Sequence, residues 1–264
     1  MFRPKVRIYP TCEDLSVALA GHVALIAAQA TEKRNSFTVA LSGGSVMEIL
    51  GPQLAARPLC AEIDWSAWHV FWADERCVAF TSPESNYGTA NRLLFSDVDI
   101  PSHQIHALDD TLGAVAAAEA YESILKRAFR PKDSCFPRFD LVLLGIGEDG
   151  HIASLFPGSP LLGETARWVL PVFNAPKPPA VRVTLTLPVI NNARHVLFVA
   201  AGSGKKGVLS EVLRHSHDRP GLPAELVRPI DGDLQWFVDE AAAGEPAETT
   251  GLHRPNTKGG GSII

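Results

Sequence analysis

Apolar residues in this chain come in short runs, most of them closed by glycine, serine or a cluster of charges. Residues 37–41 (FTVAL), 68–73 (WHVFWA), 139–144 (FDLVLL), 168–172 (WVLPV), 181–185 (VRVTL), 195–201 (HVLFVAA) and 234–238 (LQWFV) have the length and the β-branched or aromatic content of buried strands. Residues 6–9 add a short alternating one. Helical spacing fills the gaps at 15–30, 46–54, 89–95, 112–129 and 206–213. In the first of these Leu15, Ala18, Leu19, His22, Val23 and Ile26 share a face, behind the capping chemistry of Thr11, Glu13 and Asp14. A brief strand at 106–108 and a helical turn at 224–227 are weaker signals. Strands alternating with helices predict an α/β fold: a Rossmann-like, mostly parallel sheet covered by helices on both faces, with room for a small second subdomain. One domain is expected over 1–243. The Gly-, Pro- and Thr-rich residues 244–264 are expected to be a loosely ordered tail.

Open α/β sheets bind ligands beyond the carboxyl ends of their strands, so the loops there carry the candidate chemistry. The run 139–144 leads into a glycine-punctuated turn with Glu148, Asp149 and His151, an acid and an imidazole two positions apart. Gly145, Gly147 and Gly150 satisfy G-x-G-x-x-G, but Pro157 leaves barely two helical turns after them. The next strand, moreover, leads to Phe173 and Asn174 rather than to an acid. A dinucleotide site needs both features, so none is expected.

Ser42, Gly43, Gly44 and Ser45 lie between a strand and a helix start, an arrangement that offers free backbone N–H groups to an anion, with a plain tight βα turn as the equal reading. Asp74, Glu75 and Arg76 end another strand, and they read either as a solvated loop or as part of the site. Asn86 and Tyr87 follow in a turn where capping is an equal explanation. Arg182 interrupts an apolar run and calls for a carboxylate or a ligand phosphate. Lys205, in Gly202-Ser203-Gly204-Lys205, stands where an anion ligand would, with a merely solvated lysine as the alternative.

A length of 264 residues suffices for one substantial core, and a net charge of -5 offers no general attraction to nucleic acid or anionic membrane. The expected partner is a small molecule, and the sequence leaves the oligomeric state open. Cys12, Cys60, Cys77 and Cys135 are scattered without metal-ligand spacing, which predicts reduced structural thiols and no metal site. The first residues lack the apolar core of a signal peptide, and no window approaches the roughly 18 uninterrupted apolar residues of a spanning helix. Cytoplasmic residence is the expectation.

Taken together, SGGS at 42–45, ADER at 73–76, ESNYG at 84–88, GIGEDGHIASLFPG at 145–158, RVTLTLPVINNA at 182–193 and GSGKK at 202–206 resemble the 6-phosphogluconolactonase family. That family shares its fold with glucosamine-6-phosphate deaminases and ribose-5-phosphate isomerases. The likeness spans roughly residues 6–243, and DGHIASLFPG is its most specific piece. It implies hydrolysis of 6-phosphogluconolactone to 6-phosphogluconate, in the oxidative pentose phosphate pathway, with neither metal nor organic cofactor. It also implies His151 as the catalytic histidine, Asp149 as its neighbour and Arg76 as the arginine of the DER loop. Ser42 to Ser45, Arg182 and Lys205 correspond to phosphate-contacting elements.

The chain departs from the family's SGGSTP at Ser45-Val46-Met47. The missing threonine hydroxyl removes a phosphate hydrogen bond worth about 0.5 to 1.5 kcal/mol. Ala79 also stands where the family usually has proline. Deaminases of this fold typically carry DEY and an FNEP-like sequence where this chain has Asp74-Glu75-Arg76 and Ser154-Leu155-Phe156-Pro157, which favours the lactonase. A non-catalytic sugar-phosphate sensor is a further alternative, disfavoured by the presence of His151 and by the few residues before Val6.

Overall fold

The computed structural model describes residues 4–130, 136–214 and 221–244. Its strands are β1 (Lys5–Tyr9), β2 (Phe37–Leu41), β3 (Trp68–Trp72), β4 (Asp74–Arg76), β5 (Leu141–Gly145), β6 (Val169–Val172), β7 (Arg182–Leu185), β8 (His195–Ala200) and β9 (Asp233–Asp239). Six of them form a parallel sheet in the order β1-β9-β8-β5-β2-β3. The other three form a small antiparallel sheet, β4-β7-β6. The helices are α1 (Cys12–Arg34), α2 (Ser45–Ala55), α3 (Leu59–Glu62), α4 (Asn86–Ala90), α5 (Ala114–Phe129), α6 (Leu187–Asn191), α7 (Lys206–Arg214) and α8 (Glu240–Ala243).

Period-2 alternation along the central strands sends side chains to two separate cores. Leu141 and Leu143 of β5 join Val39 and Leu41 of β2 under α1 and α2, while Val142 and Leu144 join Ala40, Phe198 and the α5 residues Ala117, Tyr121 and Leu125. Sequence order reverses between β2 and β5, whose register pairs Val39 with Leu141 and Ala40 with Val142. The lower end of that junction is pinned by Asp140, which accepts from the Thr38 N–H at 2.9 Å and the Thr38 hydroxyl at 3.0 Å.

Helix α1 is longer than its apolar pattern because both ends are fastened. The Thr11 hydroxyl accepts from the Asp14 N–H, and Asn35 ends the helix in a left-handed conformation. By length and composition α1 could cross a membrane, yet Leu15, Leu19, Val23, Ile26 and Ala30 are buried in the core. His22 packs against Phe237 with ring centroids 5.3 Å apart, and burial pushes its pKa down to about 4. It is a neutral packing residue. Helix α4 begins before the expected residue 89 because the Ser85 hydroxyl caps it, accepting from the Gly88 N–H. The strand expected at 106–108 reduces to one bridge, Val70 with Ile105. Beyond Gly244, the expected tail lies outside the described residues, as does Cys135.

Asp74, Glu75 and Arg76 correct the solvated-loop alternative. The chain leaves the main sheet at Ala73, whose N–H donates to Leu41 and whose carbonyl accepts from Leu185, and continues as β4 of the second sheet. Both carboxylates are buried. The Glu75 carboxylate accepts from the N–H groups of Arg76 at 2.7 Å, Asn86 at 2.8 Å and Tyr87 at 2.7 Å, and from the Ser85 hydroxyl at 3.3 Å. Burial lifts its pKa above the ordinary range, and the N–H donors work against that rise.

Glutamine at 75 would turn an amide NH₂ toward one pair of these donors. Glu75→Gln should therefore lower stability by about 2 to 4 kcal/mol, read as a lower denaturant midpoint at constant m. An unchanged midpoint would show that the clamp does not hold the loop.

Candidate active site

The loops that follow β2, β5 and β8 meet at the carboxyl edge of the main sheet, beside the point where strand order reverses. Glycines allow the approach. A Cβ on Gly145 would lie 3.2 Å from Val46, and one on Gly204 would lie 3.3 Å from the Glu148 carboxylate. At Gly43 it would collide with the Asn86 amide, and at Gly147 with the His151 imidazole. Gly150 sits at φ +82, a conformation that glycine adopts without strain. The turn is closed by the Gly147 N–H, which donates to the His151 carbonyl at 2.9 Å, and by the Gly150 N–H, which donates to Gly147 at 2.9 Å.

This turn folds Asp149 back onto His151, with Asp149 Oδ1 2.5 Å from Nδ1 of the ring. Burial works to raise the Asp149 carboxyl, but the hydrogen bond and charge of His151 prevail and hold it below the ordinary aspartate range. An ionised Asp149 fixes the proton on Nδ1 and leaves Nε2 as the basic nitrogen of the neutral ring. The His151 side chain is 17% exposed, so the ring is packed yet reachable. Its wall is Phe156, with ring centroids 4.7 Å apart.

Cationic groups approach from two sides. Lys205, at the start of α7, is half-buried. Burial and the nearby Lys177 pull its pKa down, while Glu148 and Asp149 oppose the fall. Arg76 pairs with Arg182 across the β4–β7 ladder, and its Nη1 donates to the Glu84 carbonyl at 2.6 Å. Its Nε is buried without a hydrogen-bond partner among the described residues.

Arg182 forms no direct ion pair among the described residues, although the charge of the Asp74 carboxylate supports its protonated form. Its guanidinium is buried, lies 5.6 Å from the centre of the Phe156 ring, and donates to the Pro179 carbonyl at 2.8 Å and the Lys177 carbonyl at 2.7 Å. A longer contact, 3.4 Å, reaches the Ser154 hydroxyl, which donates in turn to Asp74 at 2.7 Å. Arg182 thus holds the proline-rich loop that carries Lys177. Nothing local singles out Lys177, since a lysine between prolines has no signature of its own.

The 42–45 loop is mixed. Gly44 and Ser45 are exposed, and Gly44 precedes α2 without a side-chain cap; Met47 and Glu48 donate to the Gly44 carbonyl, which leaves the N–H groups ahead of them for an anion. The Ser42 hydroxyl, by contrast, is buried without a partner among the described residues. Asn86 connects this loop to the second sheet: it packs on Gly43, and its side-chain amide donates to the Asp74 carbonyl at 2.7 Å. Among the described residues, no group of three His, Cys, Asp or Glu side chains is placed to hold a metal ion.

Comparison with known proteins agrees with this architecture. A 6-phosphogluconolactonase of Arabidopsis thaliana, the chloroplastic form 3, is 41% identical over 247 residues, covering 91% of this chain and 75% of the relative. The 6-phosphogluconolactonase structure from Trypanosoma brucei superposes with a TM-score of 0.82 at 30% identity, over 92% of this chain and 98% of that one. The one from Thermotoga maritima gives 0.73 at 32% identity, over 89% and 100%. A monomeric glucosamine-6-phosphate deaminase, at 20% identity and a TM-score of 0.72, shares the fold. The family model described as glucosamine-6-phosphate isomerases/6-phosphogluconolactonase matches residues 10–236, and the chain belongs to that family.

Proposed function

We infer that this protein is a hydrolase that opens 6-phospho-D-glucono-1,5-lactone to 6-phospho-D-gluconate, a step of the pentose phosphate pathway. The observation that carries the mechanism is the Asp149–His151 pair at 2.5 Å in the turn after β5, beside an edge furnished with cations. Lactone hydrolysis needs a deprotonated water, stabilisation of the oxyanion that forms on the carbonyl, and a proton for the departing ring oxygen. His151 Nε2 takes the water proton while Asp149 keeps Nδ1 protonated and stabilises the imidazolium. The same nitrogen then returns the proton to the leaving alkoxide. Arg76 and the open N–H groups of the glycine turns are the candidates for oxyanion support.

Lys205 is the proposed ligand of the substrate phosphate, with the N–H groups at Gly44 and Ser45 and with Lys177 held alongside. Arg182 supports that end through the carbonyls of residues 177–179. The deaminase alternative is less supported: the curated relatives are named as lactonases, and the likeness to the deaminase structure is one of fold. Cys12, Cys60 and Cys77 are free thiols, and on that ground we propose a reducing compartment, most simply the cytoplasm. Chloroplastic enzymes stand among the relatives.

The decisive assay generates the lactone from glucose 6-phosphate and compares its disappearance with spontaneous hydrolysis. Failure to exceed the spontaneous rate, or release of ammonia from glucosamine 6-phosphate, would overturn the assignment. His151→Ala should lower kcat by about 10² to 10⁴ with KM little changed.

Asp149→Asn should act in the same direction. The stabilising contribution of the depressed Asp149 carboxyl is present at neutral pH and is lost as pH falls through its lowered pKa. The stability difference between wild type and Asp149→Asn should therefore shrink only below the ordinary aspartate range, as acid unfolding curves would show.

Lys205→Met removes a charge-assisted hydrogen bond worth about 1.5 to 3 kcal/mol. It should raise KM for the phosphorylated lactone by at least tenfold and leave unphosphorylated gluconolactone nearly unaffected. Equal losses on both substrates would displace the phosphate from this end.

A further inference from the structure

The opposite edge of the main sheet carries a second concentration of charge that lactone hydrolysis does not use. At the amino-terminal ends of β5, β8 and β9, under the last turn of α1, lies a cleft of about 290 Å³ lined by Lys33, Arg34, Arg138, Arg194, His195 and Asp231. Strand β8 separates it from the Lys205 loop by six residues, about 20 Å at the rise of a strand. A ligand in this cleft cannot touch His151.

We propose that this cleft binds a small doubly charged oxyanion of the phosphate or phosphomonoester class.

Asp233 also acts on His195 but is paired with Lys5 at 3.2 Å, which leaves four permanent cations facing two carboxylates, and those two are unequally committed. Asp140, buried below the cleft, takes Arg34 at 2.7 Å and Arg194 at 3.3 Å while also accepting from Thr38, so it has nothing left for Arg138 or Lys33. Asp231 meets Arg138 at 3.0 Å, but its side chain is 88% exposed, and an ion pair so open contributes about 0 to 1 kcal/mol and exchanges readily. The carboxyl end of α1 adds about half a negative charge, which offsets part of one cation and leaves an excess above one. His195 is pulled down by burial and enters as a neutral ring.

Unsatisfied polar atoms point the same way. Arg138 Nε and His195 Nδ1 are buried and have no hydrogen-bond partner among the described residues, and Arg194 Nε reaches the Asp140 carboxylate at 3.3 Å without a hydrogen bond; all three atoms belong to residues lining this one cleft. A buried polar atom left unpaired costs about 1 to 3 kcal/mol. The Arg194 guanidinium is also pulled down by burial and then by the charges of Arg34 and Arg138, a repulsion that a bound anion would relieve. Guanidinium forks match the oxygens of a phosphate. The volume lies at the small end of ligand sites, suited to inorganic phosphate or a short phosphomonoester rather than a dinucleotide.

The test is calorimetric titration with inorganic phosphate at fixed ionic strength, on the full chain carrying Lys205→Met to silence the opposite edge. One phosphate per chain should still bind. Adding Lys33→Gln and Arg138→Gln should weaken that binding at least tenfold, and Lys33→Gln alone, at an exposed position, about threefold. These variants leave Arg34 and Arg194 on Asp140, so the fold is kept. Loss of all phosphate binding in Lys205→Met, or affinity unchanged by the Lys33 and Arg138 variants, would overturn the proposal. If Lys205→Met binds as wild type does and only the Lys33 and Arg138 variants weaken binding, the cleft stands and the phosphate reading of Lys205 falls instead.

Discussion

Two adjacent buried carboxylates, Asp74 and Glu75, constrain everything at the carboxyl edge of this sheet. Among the described residues neither forms an ion pair, so each has to be satisfied by hydrogen bonds, and the donors come from other parts of the chain. Glu75 gathers the start of α4, while Asp74 takes the Ser154 hydroxyl from the segment beyond His151. Ser154 touches Arg182, and Arg182 fastens the 177–179 loop. The Asn86 amide, bonded to the Asp74 carbonyl, packs against Gly43. A strand of three residues thereby ties the second sheet to the loops after β2 and β5. The imidazole at 151 is held by packing that begins at these acids.

The separation of roles along the sheet follows from the same logic. At the carboxyl edge, helix starts and glycine turns leave N–H groups open, and negative charge is welcome there. At the amino edge, α1 ends with Lys33 and Arg34, as a helix carboxyl terminus favours, and the buried Asp140 draws further cations to it. Asp140 is needed to pin β2 to β5, so the cations around it exist first for the fold. Any anion that binds them uses a charge excess created by that structural demand.

Much of the fold was legible in the sequence because burial on both faces writes itself as unbroken apolar runs. FTVAL became β2 without a residue's change, and LVLLG, HVLFVA and DLQWFVD lie within a few residues of their apolar cores. The second sheet was not legible as a sheet. Asp74-Glu75-Arg76 has the composition of a solvated loop, and its burial depends on donors twelve and eighty residues away that no local pattern reveals. The same limit applies to Arg182. An arginine inside a strand announces that it needs acceptors, but carbonyl oxygens from a proline-rich loop meet that need as well as a phosphate would. That His151 and Asp149 lie together was readable because their spacing is short and the glycines around them leave the turn few other shapes.

That economy of distance bears on the chemistry as well. A carboxylate from a remote strand would have to be held by its own packing to orient an imidazole, whereas Asp149 is positioned by the turn that positions His151, with its Oδ1 also 3.3 Å from the His151 N–H. Lys205 and Glu148 lie close to the same turn, so the negative charge of Asp149 serves twice, fixing the ring's proton and offsetting the burial of a cation. If the phosphate sits at Lys205 as proposed, the exposed Glu148 gives up its share of that cation to water. The carboxylate on the imidazole stays committed through its hydrogen bonds. Substrate charge can then be neutralised at one end of the site without releasing the proton held at the other.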